Sequence, residues 1–98
     1  MTINKTQNGT ALLIELEGRL ETITAPELEK ELQSCLDGVT ELTFDFKNLD
    51  YVSSAGLRVL LSAQKKMAKQ GSMKIKNVND LVMEVFSCTG FTDILTIE

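Results

Sequence analysis

The chain has no histidine among its 98 residues. That removes the commonest general base and the commonest metal ligand at neutral pH. Cysteine is scarce: Cys35 lies in a helical pattern and Cys88 near a helix end. Two distant thiols make no zinc site by themselves, and both read as small buried or half-buried apolar residues rather than as a disulfide. Positive charge is in deficit. Ten Lys and Arg against fourteen Asp and Glu leave a net charge of −4, which argues against nucleic acid as the main partner. No apolar run approaches the roughly 18 residues of a membrane span. The N-terminus lacks the apolar centre of a signal peptide, so the expected location is cytoplasmic. A Gly-rich phosphate loop and a nucleophile–base pair are also missing, so neither an enzyme nor a bound cofactor is expected. No internal repeat, linker or low-complexity segment interrupts the chain.

What is present is an ordinary apolar fraction of 43% in a length suited to one domain with a modest core, spanning 1–98. Thr2 to Gln7 reads as a first strand. Asn8-Gly9 is a hairpin signal, because both residues tolerate positive φ. Thr10 to Glu17 follows with Leu12, Ile14 and Leu16 on one face. Ala11 and Leu13 make the other face apolar too, which predicts a strand covered on both sides. Thr24-Ala25-Pro26-Glu27 has the form of a capping box with proline in the first turn. The helix it opens carries Leu28, Leu32, Cys35 and Leu36 on one face and ends at Asp37-Gly38. Its carboxylates read as solvated charge.

Leu42-Thr43-Phe44-Asp45-Phe46 alternates as a half-buried strand does. From Leu57 on, Leu60, Leu61, Ala63, Met67 and Ala68 recur at helical spacing. Between the two lies Tyr51-Val52-Ser53-Ser54-Ala55-Gly56-Leu57-Arg58. Ser53 and Ser54 therefore fall where a helix begins, among free N–H groups and the positive end of the helix dipole. Gly56 in the first turn lets a partner or a phosphate approach the backbone closely. Serines at helix starts are most often plain caps, and that is the simpler reading. Met73 to Val78 gives another strand, Asn79 or Asp80 caps a third helix carrying Leu81, Val82, Val85 and Phe86, and Ile94, Leu95 and Ile97 suggest a short last strand. The expected helices cover 24–37, 54–70 and 79–89. The fold class is α/β: a small, mostly parallel sheet of four to five strands, an N-terminal antiparallel hairpin and about three helices. In such folds the rim where strands end and helices begin is the usual place for binding.

Several of these segments together resemble the STAS domain, the family named for sulfate transporters and anti-sigma factor antagonists. Gly18-Arg19-Leu20-Glu21 followed by Thr24-Ala25-Pro26-Glu27-Leu28 is similar to the family's Gly-x-Leu-Asp segment and Ala-x-x-Leu helix start. The Leu42-to-Leu49 strand resembles its Asp-Leu-Ser strand end. Val52-Ser53-Ser54-Ala55-Gly56-Leu57-Arg58 resembles its switch loop. The joint spacing across essentially the whole chain is what makes the likeness specific.

The resemblance implies a stand-alone anti-sigma factor antagonist. Its partner would be an anti-sigma factor that is also a Ser/Thr kinase with a histidine-kinase-like ATPase fold. Phosphorylation in the switch loop would break that complex, and a metal-dependent Ser/Thr phosphatase would restore it. The best-known members read Asp-Ser-Ser-Gly or Asp-Ser-Thr-Gly, with the modified residue directly before glycine. Here that position is Ala55, and Ser53 stands in place of the aspartate. Other members carry an Asp-Ser/Thr-Ala-Gly form, which makes Ser54 the first candidate for phosphorylation and Ser53 the second. Ser53, Ser54, Ala55, Gly56 and Arg58 form the expected partner surface, with Arg58 four residues beyond Ser54, where it could pair with a phosphate. The alternative is a STAS interaction subunit of a lipid-transport or signalling complex that no phosphate switches.

Overall fold

The N-terminal hairpin joins β1 (Thr2–Asn8) to β2 (Ala11–Leu20) in a computed structural model that describes all 98 residues. The turn sits one residue later than expected. Asn8 pairs with Ala11, so Gly9 and Thr10 form the two-residue loop, and only Gly9 takes the positive φ, +65°. From there the chain alternates: α1 (Ala25–Cys35), β3 (Glu41–Val52), α2 (Ser54–Gln70), β4 (Ser72–Lys76) and α3 (Asp80–Thr89). A single 3-10 turn, Phe91–Asp93, follows. The expected last strand is reduced to one parallel bridge between Ile97 and Ile75.

The sheet order is β1-β2-β3-β4, antiparallel between β1 and β2 and parallel thereafter. Because the order never reverses, successive crossovers of one hand lay the helices on the same face. That face holds Ile14 opposite Phe44 and Phe44 opposite Ile75, all three fully buried. Leu28 and Leu32 of α1, Leu57, Leu60 and Met67 of α2, and Val82 and Phe86 of α3 close over it as one core cluster. The opposite face carries no helix. Ala11 and Leu13 on it are half-buried beside Thr6, Asn8 and Thr43, so β2 is not covered on both sides as its pattern suggested.

The strands are longer than their alternation indicated, because β2 and β3 shift register twice, at Glu15/Glu17 and at Gly18/Arg19. The buried positions of β3 accordingly run Leu42, Phe44, Phe46, then Leu49 and Val52. Asp45 holds the irregular stretch. Its Oδ1 accepts the Lys47 N–H and the Asn77 Nδ2–H, both at 3.0 Å. Burial pushes the Asp45 carboxyl up, but these hydrogen bonds and the neighbouring lysines outweigh it and leave the group below its ordinary value. Asn79 caps α3 by accepting the Val82 N–H at 2.8 Å, and its Nδ2 donates to the Leu49 carbonyl at 2.9 Å. One side chain thus closes a helix end and pins it to β3. Leu61 is only half-buried, whereas Val59 is buried, so the inner stripe of α2 turns toward α1 by more than its sequence suggested. Cys35 is half-buried and Cys88 exposed.

Candidate functional site

The rim at the carboxyl ends of the parallel strands is built by two close approaches. In the first, Ser53 leaves β3 in extended conformation, φ −93° and ψ 176°. Its N–H donates to the Leu20 carbonyl at 2.8 Å, and its own carbonyl accepts the Leu57 N–H at 2.9 Å. The latter is the first bond of the α2 ladder, so the N–H groups of Ser54, Ala55 and Gly56 precede it. In the second, Gly56 presses on β2. A Cβ built there would lie 2.7 Å from Leu20 Cγ and 2.9 Å from the Leu20 oxygen. Gly56 is buried, so the missing side chain makes room for Leu20 and not for an incoming partner. It sets the height of the loop above the sheet.

The two serines differ sharply. Ser53 occupies the N-cap position, yet its hydroxyl makes no capping bond. Its Oγ is buried without a hydrogen-bond partner in the protein. Ser54, the first residue of α2, is exposed. Ala55 is half-buried and Arg58 is exposed. No acidic side chain lies in the first turn of α2, and Arg58 enters none of the ion pairs of the molecule. The more accessible of the two hydroxyls therefore stands at a helix N-terminus with an unpaired guanidinium one turn away, a setting that stabilises an anion on Ser54.

Beside the loop, the turn between β2 and α1 is rigid for a reason the sequence did not show. Thr24 is at the N-cap of α1 but in helical conformation, φ −94° and ψ −22°, and its side chain caps nothing. The capping box expected there does not form. Instead the Thr24 hydroxyl accepts the Glu21 N–H at 2.9 Å and donates to the Arg19 carbonyl at 2.7 Å. The Glu21 carbonyl accepts the N–H groups of Thr24 and Ala25 at 3.1 and 2.7 Å. Arg19 lies over the Tyr51 ring at 5.0 Å and reaches Glu21 at 3.3 Å. The turn so closed presents Ile23 79% exposed. Sequence reasoning passed over this residue. An apolar residue just before a cap ordinarily folds back on the helix as a staple, and only the structure shows that Ile23 does not. Between this turn and α2 opens a recess of 360 Å³ whose walls include Thr22, Pro26, Glu29, Ala55 and Arg58.

The rim is thus an edge that carries the exposed Ser54 and an Arg58 in no ion pair, and no group of three or more His, Cys, Asp or Glu side chains gathers for a metal. The STAS domain model matches residues 2–98, and the chain belongs to the STAS domain family. It is 28% identical to the anti-sigma-B factor antagonist of Bacillus subtilis (strain 168) over 98 residues, 99% of this chain and 90% of that one. It is 36% identical to BtrV of Bordetella bronchiseptica over 88 residues, 88% of this chain and 76% of that one. Among solved structures, the anti-sigma factor antagonist SpoIIAA in its unphosphorylated form superposes with a TM-score of 0.85 at 18% identity, covering 99% of this chain and 88% of that one. The mixed sheet with its N-terminal antiparallel strand is thus the STAS fold, and the relatives include stand-alone anti-sigma factor antagonists. No helix is long and apolar enough to cross a membrane.

Proposed function

We propose that this chain is an anti-sigma factor antagonist of the cytoplasm, which binds an anti-sigma factor that is also a serine kinase and so regulates transcription indirectly. Phosphorylation of Ser54 ends the complex, and a metal-dependent Ser/Thr phosphatase restores it. The observation that carries this reading is the exposed Ser54 at the first position of α2, in a chain of this family. Ser53 is the weaker acceptor because its Oγ is buried. A phosphate on Ser54 adds about −1.5 to −2 charges at neutral pH. The protein itself accommodates that charge through the N-terminus of α2 and Arg58, so the fold stays and the surface changes. A partner packed against Ser54 would have to desolvate the phosphate, and the complex weakens.

The test is incubation with ATP and each purified anti-sigma kinase of the source genome, followed by intact mass and peptide mapping. One phosphoryl group on Ser54 supports the reading. Binding without incorporation favours the second reading, a STAS interaction subunit that phosphate does not switch. That alternative draws on Ala55, which occupies the position directly before Gly56 and offers no hydroxyl.

A further inference from the structure

Two large apolar side chains are exposed near the carboxyl-end rim, and they stand on opposite sides of Ser54. Ile23, 79% exposed, is on the α1 side, and Leu81, 52% exposed, is in the first turn of α3. They are not equivalent. Ile23 is held on a turn closed by four hydrogen bonds, so its presentation costs a partner little ordering. It follows Thr22, which lines the recess of 360 Å³ beside Ala55 and Arg58. The recess continues down the groove between α1 and α2, because a second hollow of 140 Å³ shares Glu29, Val59 and Ser62 with it. None of the four hollows in the surface is lined by a residue of α3. Arg58 forms no ion pair within the chain, although Glu29 shares the recess wall with it, so its guanidinium is available to a carboxylate from outside.

We infer that the anti-sigma factor docks on the α1 side of Ser54, setting an apolar side chain against Ile23, next to the recess-lining Thr22, and a carboxylate on Arg58. The inference rests on the functional reading above and gives it a direction. It also assigns Arg58 two mutually exclusive partners. Ser54 and Arg58 are four residues apart on one helix, so a phosphate on Ser54 draws the guanidinium to itself and away from the partner's carboxylate. Phosphorylation then acts twice, by adding charge at the rim and by withdrawing the cation that the partner needs.

The experiment is titration calorimetry of the full chain against the purified anti-sigma kinase that binds it, with thermal melts of every variant as the folding control. Ile23→Asp is expected to weaken binding by about tenfold or more, the scale of one anchor side chain. Its melting temperature should be unchanged, since the residue is exposed. Ile23→Ala should weaken binding less but measurably, and Arg58→Ala should weaken it by about fivefold or more. Leu81→Asp should stay within about twofold of the unmodified chain. The loss caused by Ser54→Asp should be clearly smaller in an Arg58→Ala background than alone, because the two changes remove one contact. If Leu81→Asp costs more than Ile23→Asp, or if both Ile23→Asp and Arg58→Ala bind normally, the docking direction is wrong. Ser54→Asp releasing the kinase in that same series would leave the functional reading standing. If the unmodified chain binds no anti-sigma kinase, the functional reading fails and the footprint goes with it.

Discussion

Gly56→Ala tests how the Ser53–Ser54 loop is seated. Two effects oppose each other in this substitution. Alanine is favoured over glycine inside a helix by about 1 kcal/mol. Against that, the new methyl would meet Leu20 Cγ at 2.7 Å and the Leu20 carbonyl oxygen at 2.9 Å. Neither atom gives way easily. Leu20 is fully buried, and the carbonyl is fixed by accepting the Ser53 N–H at 2.8 Å. Forcing a methyl into packed surroundings costs about 1–3 kcal/mol, and a backbone atom on one side puts this case in the upper part of that range. The clash wins, and the net expectation is a loss of about 1–2 kcal/mol. In urea that lowers the midpoint by about 1 M at unchanged slope. The strain falls on the bond that orients Ser53, so the loop itself should move, visible as amide shift changes at Ser53 and Ser54. A Gly56→Ala protein as stable as the parent, or more so, would refute the close approach of α2 to Leu20.

Leu60 is fully buried, so Leu60→Ala should cost about 2–5 kcal/mol in the same urea assay, while half-buried Leu61→Ala should cost clearly less. Ser53→Ala should be close to neutral in thermal melts: a working serine cap is worth about 0.5–2 kcal/mol, but this hydroxyl caps nothing and is buried unpaired. Asn79→Ala removes both the α3 cap and the tie to the Leu49 carbonyl, and should cost about 1–2 kcal/mol. Acid stability follows Asp45, whose folded-state carboxyl titrates below its unfolded value of about 3.9. Its contribution is complete above that value and is lost as pH falls through the lower folded value, so Asp45→Asn should flatten the decline in urea midpoint below about pH 4.

The elements were legible where residues punctuate them. The serine pair and Gln70-Gly71 bracket α2, whose observed span, Ser54–Gln70, is the one its pattern indicated. Alternation failed in β3 because the register shifts move the inward positions from Phe46 to Leu49 and Val52, and no single-chain period carries that spacing. The bare face of the sheet was misread for a related reason. Ala11 and Leu13 look like residues of a strand covered on both sides, but neighbouring threonines and asparagine shield them in the absence of a helix. At the site, the position of Ser54 followed from local sequence. The orientation of Ser53 did not, because it depends on a carbonyl 33 residues earlier in the chain, that of Leu20. The use of Thr24 to close a turn, and the exposure of Ile23 that results, likewise depend on strand β2 ending beside the start of α1.

We propose that Ser54 is the residue through which a kinase partner releases this protein. The measurement that addresses it most directly is peptide mapping by mass spectrometry after incubation with ATP and an anti-sigma kinase that binds the chain. A single phosphoryl group on Ser54 is expected, with none in Ser54→Ala and loss of the complex as incorporation proceeds. Phosphate on Ser53 instead would contradict the residue assignment. A chain that stays bound and unmodified through many kinase turnovers would contradict the switch itself.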